Sequence, residues 1–220
     1  RSTFYRIATI VGQGLLVMLA GNLEVVTRNI KYSWSLMFYG MAGLFIAFWL
    51  WHHYILPKPS EDKGMEKIRG HQILQEFWHT LKTFFQKPQV WAGICFMLFY
   101  RMPEGLLAKV SALFLIDATA KGGLGLSPAE YGLVQGTVGV IGLTLGGILG
   151  GICASRDGLK HWLWPMVIAI TLPDLVYVYL SYALPSNLFV INVCVFIEQF
   201  GYGFGFSAYM LYLIYYSQGE

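Results

Sequence analysis

Residues 132–151 read GLVQGTVGVIGLTLGGILGG, and this stretch sets the class of the protein. Glycine recurs at intervals of mostly three or four residues, which places the glycines on one face of a helix. In water each glycine would cost a helix about 1 kcal/mol relative to alanine. In a bilayer the backbone satisfies its own hydrogen bonds, so the helix persists and its smooth face lets a neighbouring helix approach closely. The predicted packing residues of this span are Gly132, Gly136, Gly139, Gly142, Gly146 and Gly150.

A polar, basic turn follows the glycine-rich span directly. Its predicted members are Gly151, Ser155, Arg156, Gly158 and Lys160. Basic residues beside a span favour the cytoplasmic side of the membrane. We therefore expect a cytoplasmic gating turn in which Arg156 and Lys160 hold helix ends together in one state of the protein.

This span and turn resemble the signature loop of the major facilitator superfamily. The family pattern is Gly-xxx-Asp-Arg-x-Gly-x-Lys, and this chain departs from it by carrying Ser155 at the aspartate position. Two stretches, GLSPAEYGLVQGT from Gly125 and FIEQFGYGFGFSAY from Phe196, are similar to one branch of the family. That branch holds the AmpG-type muropeptide permeases and the acetyl-coenzyme A transporters. The resemblance implies a fold of twelve helices in two bundles.

The composition independently predicts an all-α membrane protein. Only 12% of residues are charged, against about 25% in ordinary globular domains, and the mean hydropathy is +0.54. The net charge of +3 is spread along the chain, so no nucleic-acid partner is expected. The three cysteines lie singly in apolar runs, which predicts neither a disulfide framework nor a metal site. There is no phosphate loop or nucleophile elbow, so no cofactor and no enzymatic activity are expected.

Six apolar runs are long enough to cross a bilayer. The predicted spans cover approximately residues 2–20, 34–54, 90–116, 132–151, 163–182 and 188–216. Ser127-Pro128-Ala129-Glu130 has the pattern of a capping box that starts the glycine-rich span. A polar loop is expected over residues 22–32.

Residues 57–89 are the predicted linker, and their second half has the spacing of an amphipathic helix lying on the membrane surface. The linker corresponds to the family's central loop. Residues 1–56 would then supply the last two spans of the first bundle, and residues 90–220 the first four of the second. The remaining spans of the same protein would lie outside this sequence. Ten basic residues fall on the linker side and three on the other, so the linker is expected in the cytoplasm.

Four ionisable residues fall near the middle of the predicted spans: Arg101, Glu104, Asp174 and Glu198. A charged residue at this depth costs about 2.5–3.5 kcal/mol on insertion scales, so it is normally paired or functional. Two interpretations remain open. Arg101 and Glu104, three residues apart, could form a pair that fixes helix register. Alternatively, the four residues line a substrate and proton pathway, to which Gln135 and Gln199 would also belong.

The resemblance implies a secondary active transporter in the bacterial inner membrane that imports cell-wall muropeptides with protons. We expect Glu198 or Asp174 to carry the proton, since neither has a basic residue in its own span, and Arg101 to bind an anionic group of the cargo. A bulky anion such as acetyl-coenzyme A is the alternative cargo. A membrane sensor that binds without transporting is a second alternative. An intramembrane enzyme is disfavoured because no histidine lies at mid-depth. The expected partners are the bilayer, a small-molecule cargo and protons.

Overall fold

The computed structural model describes residues 8–56 and 70–218, with side chains described for residues 8–56 and 73–217. Within these ranges the chain forms helices and connecting turns and no strand. The helices are α1 (Ile10–Thr27), α2 (Ile30–Ile55), α3 (Gly70–Phe85), α4 (Val90–Ile116), α5 (Pro128–Asp157), α6 (Leu159–Ala183) and α7 (Leu188–Gln218). The basic residues Arg1 and Arg6 and the first part of the predicted linker lie outside the described residues.

Five of the described helices, α1, α2, α5, α6 and α7, are long and apolar enough to cross a membrane. The prediction of an all-α, multi-pass membrane protein is confirmed. The α4 helix has 27 residues, which is sufficient length, but it carries Arg101, Glu104 and Lys109 and is not among the five. Its role as a sixth span therefore stays a prediction, as does the division of the spans between two bundles.

The predicted polar loop over residues 22–32 is wrong. Helix α1 continues to Thr27 and α2 begins at Ile30, so the connection is only two residues long. Apolar residues between the charges keep the segment helical. Arg28 ends α1 by adopting a left-handed conformation with φ of 51°, and the Asn29 side chain accepts a hydrogen bond from the Tyr32 amide at 3.1 Å.

The chain divides into two compact units. One comprises Arg1–Met37 and Tyr100–Glu220, and the other comprises Phe38–Phe99. The second unit contains α3, where the sequence predicts the surface helix. Several apolar residues of α3, namely Ile73, Leu74, Phe77, Trp78 and Phe85, are exposed.

The first unit is organised around α5, whose glycines meet two different helices. In its first part α5 has the wider hydrogen bonding of a π-helix over Gly132–Gly139, and α1 has the same over Ile10–Leu15. These two segments pack backbone to backbone. A Cβ added to Gly132 would lie 2.9 Å from the Met18 nitrogen, and one added to Gly136 would overlap the Gln13 carbonyl.

The second part of α5 packs against α7. A Cβ added to Gly142 would lie 2.8 Å from the Phe196 carbonyl oxygen, and one added to Gly146 would overlap the Phe200 carbonyl. Gly139 faces the side chains of Gln199 and Val195, at 3.3 and 3.6 Å from the added Cβ. At Gly150 the neighbours are the Phe204 carbonyl and Ser207. The glycine face therefore divides between α1 and α7 rather than serving one partner.

Two apolar clusters lie in the first unit. One contains Leu115, Leu180 and Ile191 from α4, α6 and α7, together with Leu126, Val134, Cys194 and Val195. The other contains Ala154, Met166 and Ala208, with Tyr100 packed against it. Along α4, α6 and α7 alike, the residues between these clusters include one carboxylate each. The fold thus places three acidic side chains at a common level between two apolar layers.

Candidate functional site

Three carboxylates from three helices converge in the first unit. They are Glu104 of α4, Asp174 of α6 and Glu198 of α7, and we call them the carboxylate cluster. One oxygen from each lies within 4.8 Å of the others. Glu104 is 6% exposed and Glu198 2% exposed, while Asp174 is half-buried. The sequence predicts these residues individually, and the structure brings them together.

Proline and glycine explain how the helices present these side chains. Pro103 precedes Glu104 within α4, and Pro173 precedes Asp174 in a tight 3-10 turn that interrupts α6 at Leu172–Asp174. A proline lacks the amide hydrogen and obstructs the preceding turn of the helix. Gly201 lies one turn after Glu198 and faces the interrupted part of α6. A Cβ at this position would lie 2.6 Å from the Pro173 Cγ, so the glycine allows α7 and α6 to approach closely here. Asp174 is thereby brought to the level of Glu198.

The hydrogen bonds of the cluster are uneven. The Gln199 Nε2 donates to both oxygens of Glu198 at 3.1 Å, and the Tyr177 hydroxyl donates to Glu198 Oε2 at 3.4 Å. Glu104 Oε2 is buried and has no hydrogen-bond partner among the described residues. Glu198 is therefore held in place by polar neighbours, whereas no described residue holds the Oε2 atom of Glu104.

Three negative charges at this spacing oppose one another. Two unit charges 4.8 Å apart repel by about 3 kcal/mol at an effective dielectric constant of about 20. Burial adds to this cost, since an apolar environment disfavours the ionised form. The carboxylate cluster is the set of described residues that could hold a hard cation, because such ions prefer carboxylate oxygens. The expectation of no metal site stays a prediction.

Arg101 lies one turn before Glu104 but is directed towards α7. Its Nη1 donates to the Tyr202 hydroxyl. Its guanidinium carbon lies 5.6 Å from the Tyr202 ring centre, 5.0 Å from that of Phe206 and 5.9 Å from that of Tyr209. These aromatic residues recur every three or four positions and form one wall of α7. Cation–π attraction to that wall explains why the guanidinium is not directed to Glu104.

The two predicted glutamines lie in different surroundings. Gln199 follows Glu198 and bonds it, while its Cγ packs at Gly139 of α5. Gln135 lies four residues before Gly139 in the π-helical segment. Its Oε1 is buried and unpaired within the described part of the chain.

Sequence reasoning missed two residues of the site. Tyr177 bonds Glu198 and follows Asp174 by three residues, and Tyr202 bonds Arg101 and follows Glu198 by four. Both intervals place the tyrosine on the same helix face as the carboxylate. That spacing could have indicated both tyrosines.

The predicted gating turn joins α5 to α6. Helix α5 ends at Asp157, and Gly158 reverses the chain with φ of 82° before α6 starts at Leu159. The Trp162 indole nitrogen donates to Asp157 Oδ2 at 2.9 Å and closes the turn. Arg156 and Lys160 are exposed, and within the described part of the chain Ser155 donates to the Ile152 carbonyl of its own helix. Asp157, which the sequence analysis did not single out, supplies the acidic contact of this turn.

If this turn gates a transporter, as the resemblance implies, Arg156→Ala should slow transport without impairing membrane insertion. The reason is that Arg156 is exposed at the end of α5, so its loss removes a charge and no packing. We expect a several-fold lower initial rate, measured as uptake normalised to the amount of protein in the membrane. Lys121→Ala, which removes an exposed basic side chain outside the turn, is the matched control. In the predicted orientation, a cysteine introduced at position 156 reacts with a label supplied on the cytoplasmic side. Reaction with a label supplied outside the cell would contradict that orientation.

The fold defines a multi-pass integral membrane protein with a buried polar layer. Curated relatives support a relationship to AmpG-type permeases. The anhydromuropeptide permease of Escherichia coli is 23% identical over 206 residues, which are 94% of this chain and 40% of the relative. A Rickettsia bellii protein named as an AmpG transporter is 24% identical over 199 residues, 90% of this chain and 45% of the relative.

A Haemophilus influenzae protein of uncharacterized function is 23% identical over 218 residues, 95% of this chain and 47% of its own length. The chain thus spans less than half the length of the curated relatives it matches. No family model matches it, and no solved structure matches it significantly. The bacterial origin of these relatives and the apolar helices indicate an inner-membrane location.

Proposed function

We propose that the protein is a secondary active transporter that imports cell-wall muropeptides together with protons. The convergence of Glu104, Asp174 and Glu198 from α4, α6 and α7 is the observation that carries this proposal. Buried carboxylates within spans are typical of substrate and proton pathways. The relationship to AmpG-type permeases supports muropeptides as the cargo.

The proton is taken up by the carboxylate cluster. Glu198 is the first candidate for the carrier, because it is 2% exposed and two donors orient its carboxylate. Asp174 is the second, because it lies on the interrupted segment of α6. Uptake of one proton removes one of three mutually repelling charges, which lowers the cost of the closed, dehydrated state of the pathway.

Alternating access follows from the helices that carry the cluster. The breaks at Pro103 and Pro173 provide positions where α4 and α6 can bend. The glycine contacts of α5 with α1 and α7 provide smooth surfaces along which helices can slide. The two bundles of the complete protein would rock around the cluster and expose it to each side of the membrane in turn.

Uptake into membrane vesicles containing the full-length protein tests the cargo. Labelled anhydro-muropeptide should accumulate, and unlabelled muropeptide should compete with it. Acetyl-coenzyme A in the same excess should not compete. Preferential uptake of acetyl-coenzyme A would contradict the proposed cargo, and tight binding of muropeptide without any uptake would indicate a sensor.

A further inference from the structure

We propose that the Tyr202 hydroxyl joins the Arg101 guanidinium in a subsite for a carboxylate group of the cargo. This assignment rests on the proposed transport function, since it concerns how that cargo is held. It adds Tyr202 as a ligand-binding residue and specifies a carboxylate as the chemical group that is recognised.

The donors of this pair are only partly used. A guanidinium has five N–H donors and no acceptor, and one of the Arg101 donors goes to the Tyr202 oxygen. A tyrosine hydroxyl both accepts and donates, so Tyr202 retains its own hydrogen. Among the described side chains, that of Arg101 is the one hydrogen-bonded to Tyr202. The pair therefore presents N–H and O–H donors side by side.

A carboxylate matches this arrangement. Its two oxygens accept hydrogen bonds and donate none, and one can face the guanidinium while the other faces the hydroxyl. A primary amide in the same place has only one oxygen, and its NH₂ group would meet donors. The pair should thus distinguish a carboxylate from its amide.

The aromatic wall of α7 holds the guanidinium in position. Arg101 lies over the rings of Tyr202, Phe206 and Tyr209 at 5.0–5.9 Å. The wall is itself ordered, because Phe206 stacks on Tyr209 at 5.8 Å and Tyr209 stacks on Tyr100 at 5.8 Å. The Tyr100 hydroxyl is anchored to the Gly205 carbonyl at 2.7 Å. A guanidinium fixed in this way loses little further freedom when an anion binds.

The alternative role of Arg101, pairing with Glu104, would leave no such subsite. In the structure Glu104 Oε2 is buried without a hydrogen-bond partner among the described residues, while Arg101 is bound to Tyr202. Tyr202 therefore has two effects. It keeps Arg101 on the aromatic wall, and it contributes a donor of its own.

Equilibrium binding to the purified full-length protein tests the assignment. The two probes are an anhydro-muropeptide with free carboxylates and the same compound with its carboxylates converted to amides. Tyr202→Phe should weaken binding of the carboxylate probe about tenfold or more, because a hydrogen bond to a charged group is lost. Binding of the amide probe should be unchanged.

Tyr215→Phe is the matched control, since it removes the same hydroxyl from an exposed ring of α7 that is not part of the aromatic wall. It should bind both probes as the wild type does. Equal weakening for both probes in Tyr202→Phe would reduce Tyr202 to a structural residue and overturn the subsite, as would unchanged binding of both. Failure of the wild type to bind the muropeptide would instead overturn the proposed cargo, and this assignment with it.

Discussion

Gly146→Ala should abolish most transport and reduce the yield of folded protein. A Cβ at this position would overlap the Phe200 carbonyl of α7, and a backbone group cannot move aside as a flexible side chain can. Overpacking of a well-packed interior costs about 1–3 kcal/mol. We expect at least a tenfold loss of uptake, with a lower midpoint of thermal unfolding in detergent. Gly142→Leu should behave in the same way, since its added Cβ would lie 2.8 Å from the Phe196 carbonyl oxygen.

Gly40→Ala is the control for this prediction. An added Cβ there meets nothing within 4 Å, although the change is chemically identical and also lies within a candidate membrane helix. Any gain in helix propensity is shared by both variants, so the difference between them reports packing alone. Wild-type uptake by Gly146→Ala would show that this face of α5 does not pack on α7.

Glu198→Gln should uncouple transport from the proton gradient. Glutamine keeps the shape and most hydrogen bonds of the side chain but cannot take up and release a proton. We expect proton-driven accumulation to fall at least tenfold and the pH dependence of uptake to disappear. Exchange of labelled for unlabelled cargo at equilibrium should persist, because it needs no net proton movement. Both quantities are measurable in the same proteoliposomes.

Glu76→Gln is the matched control for Glu198→Gln, because Glu76 is exposed on α3. This variant should retain both accumulation and exchange. Asp174→Asn tests the second candidate in the same assay. Full proton-driven accumulation by both Glu198→Gln and Asp174→Asn would exclude these two carboxylates as the proton carriers and place coupling elsewhere in the protein.

The helical class was predictable because it depends on local properties. Long apolar runs, few charges and the glycine spacing of residues 132–151 are sufficient to indicate membrane helices. The capping box at the start of α5 was also predictable, and the structure has both of its hydrogen bonds, between Ser127 and Glu130. The boundary near residue 28 was not, because the polar residues of 22–27 remain helical until Arg28 adopts a left-handed conformation.

The candidate site was predictable only residue by residue. Charge within a span marks Glu104, Asp174 and Glu198, but they are separated by 70 and 24 positions, so no local pattern reports that they converge. The orientation of the Arg101 side chain was equally unpredictable from the sequence. Spacing on α4 favours Glu104 as its partner, whereas the aromatic wall that attracts it belongs to α7. The division of the glycine face between α1 and α7 likewise depends on tertiary packing.

Proton movement during muropeptide entry tests the central claim most directly. Proteoliposomes containing the full-length protein and an internal pH-sensitive dye would receive anhydro-muropeptide from outside, with no imposed gradient. Coupled import predicts internal acidification that depends on muropeptide concentration, is absent with acetyl-coenzyme A, and is lost in Glu198→Gln. Muropeptide entry with no change in internal pH would contradict proton coupling through the carboxylate cluster.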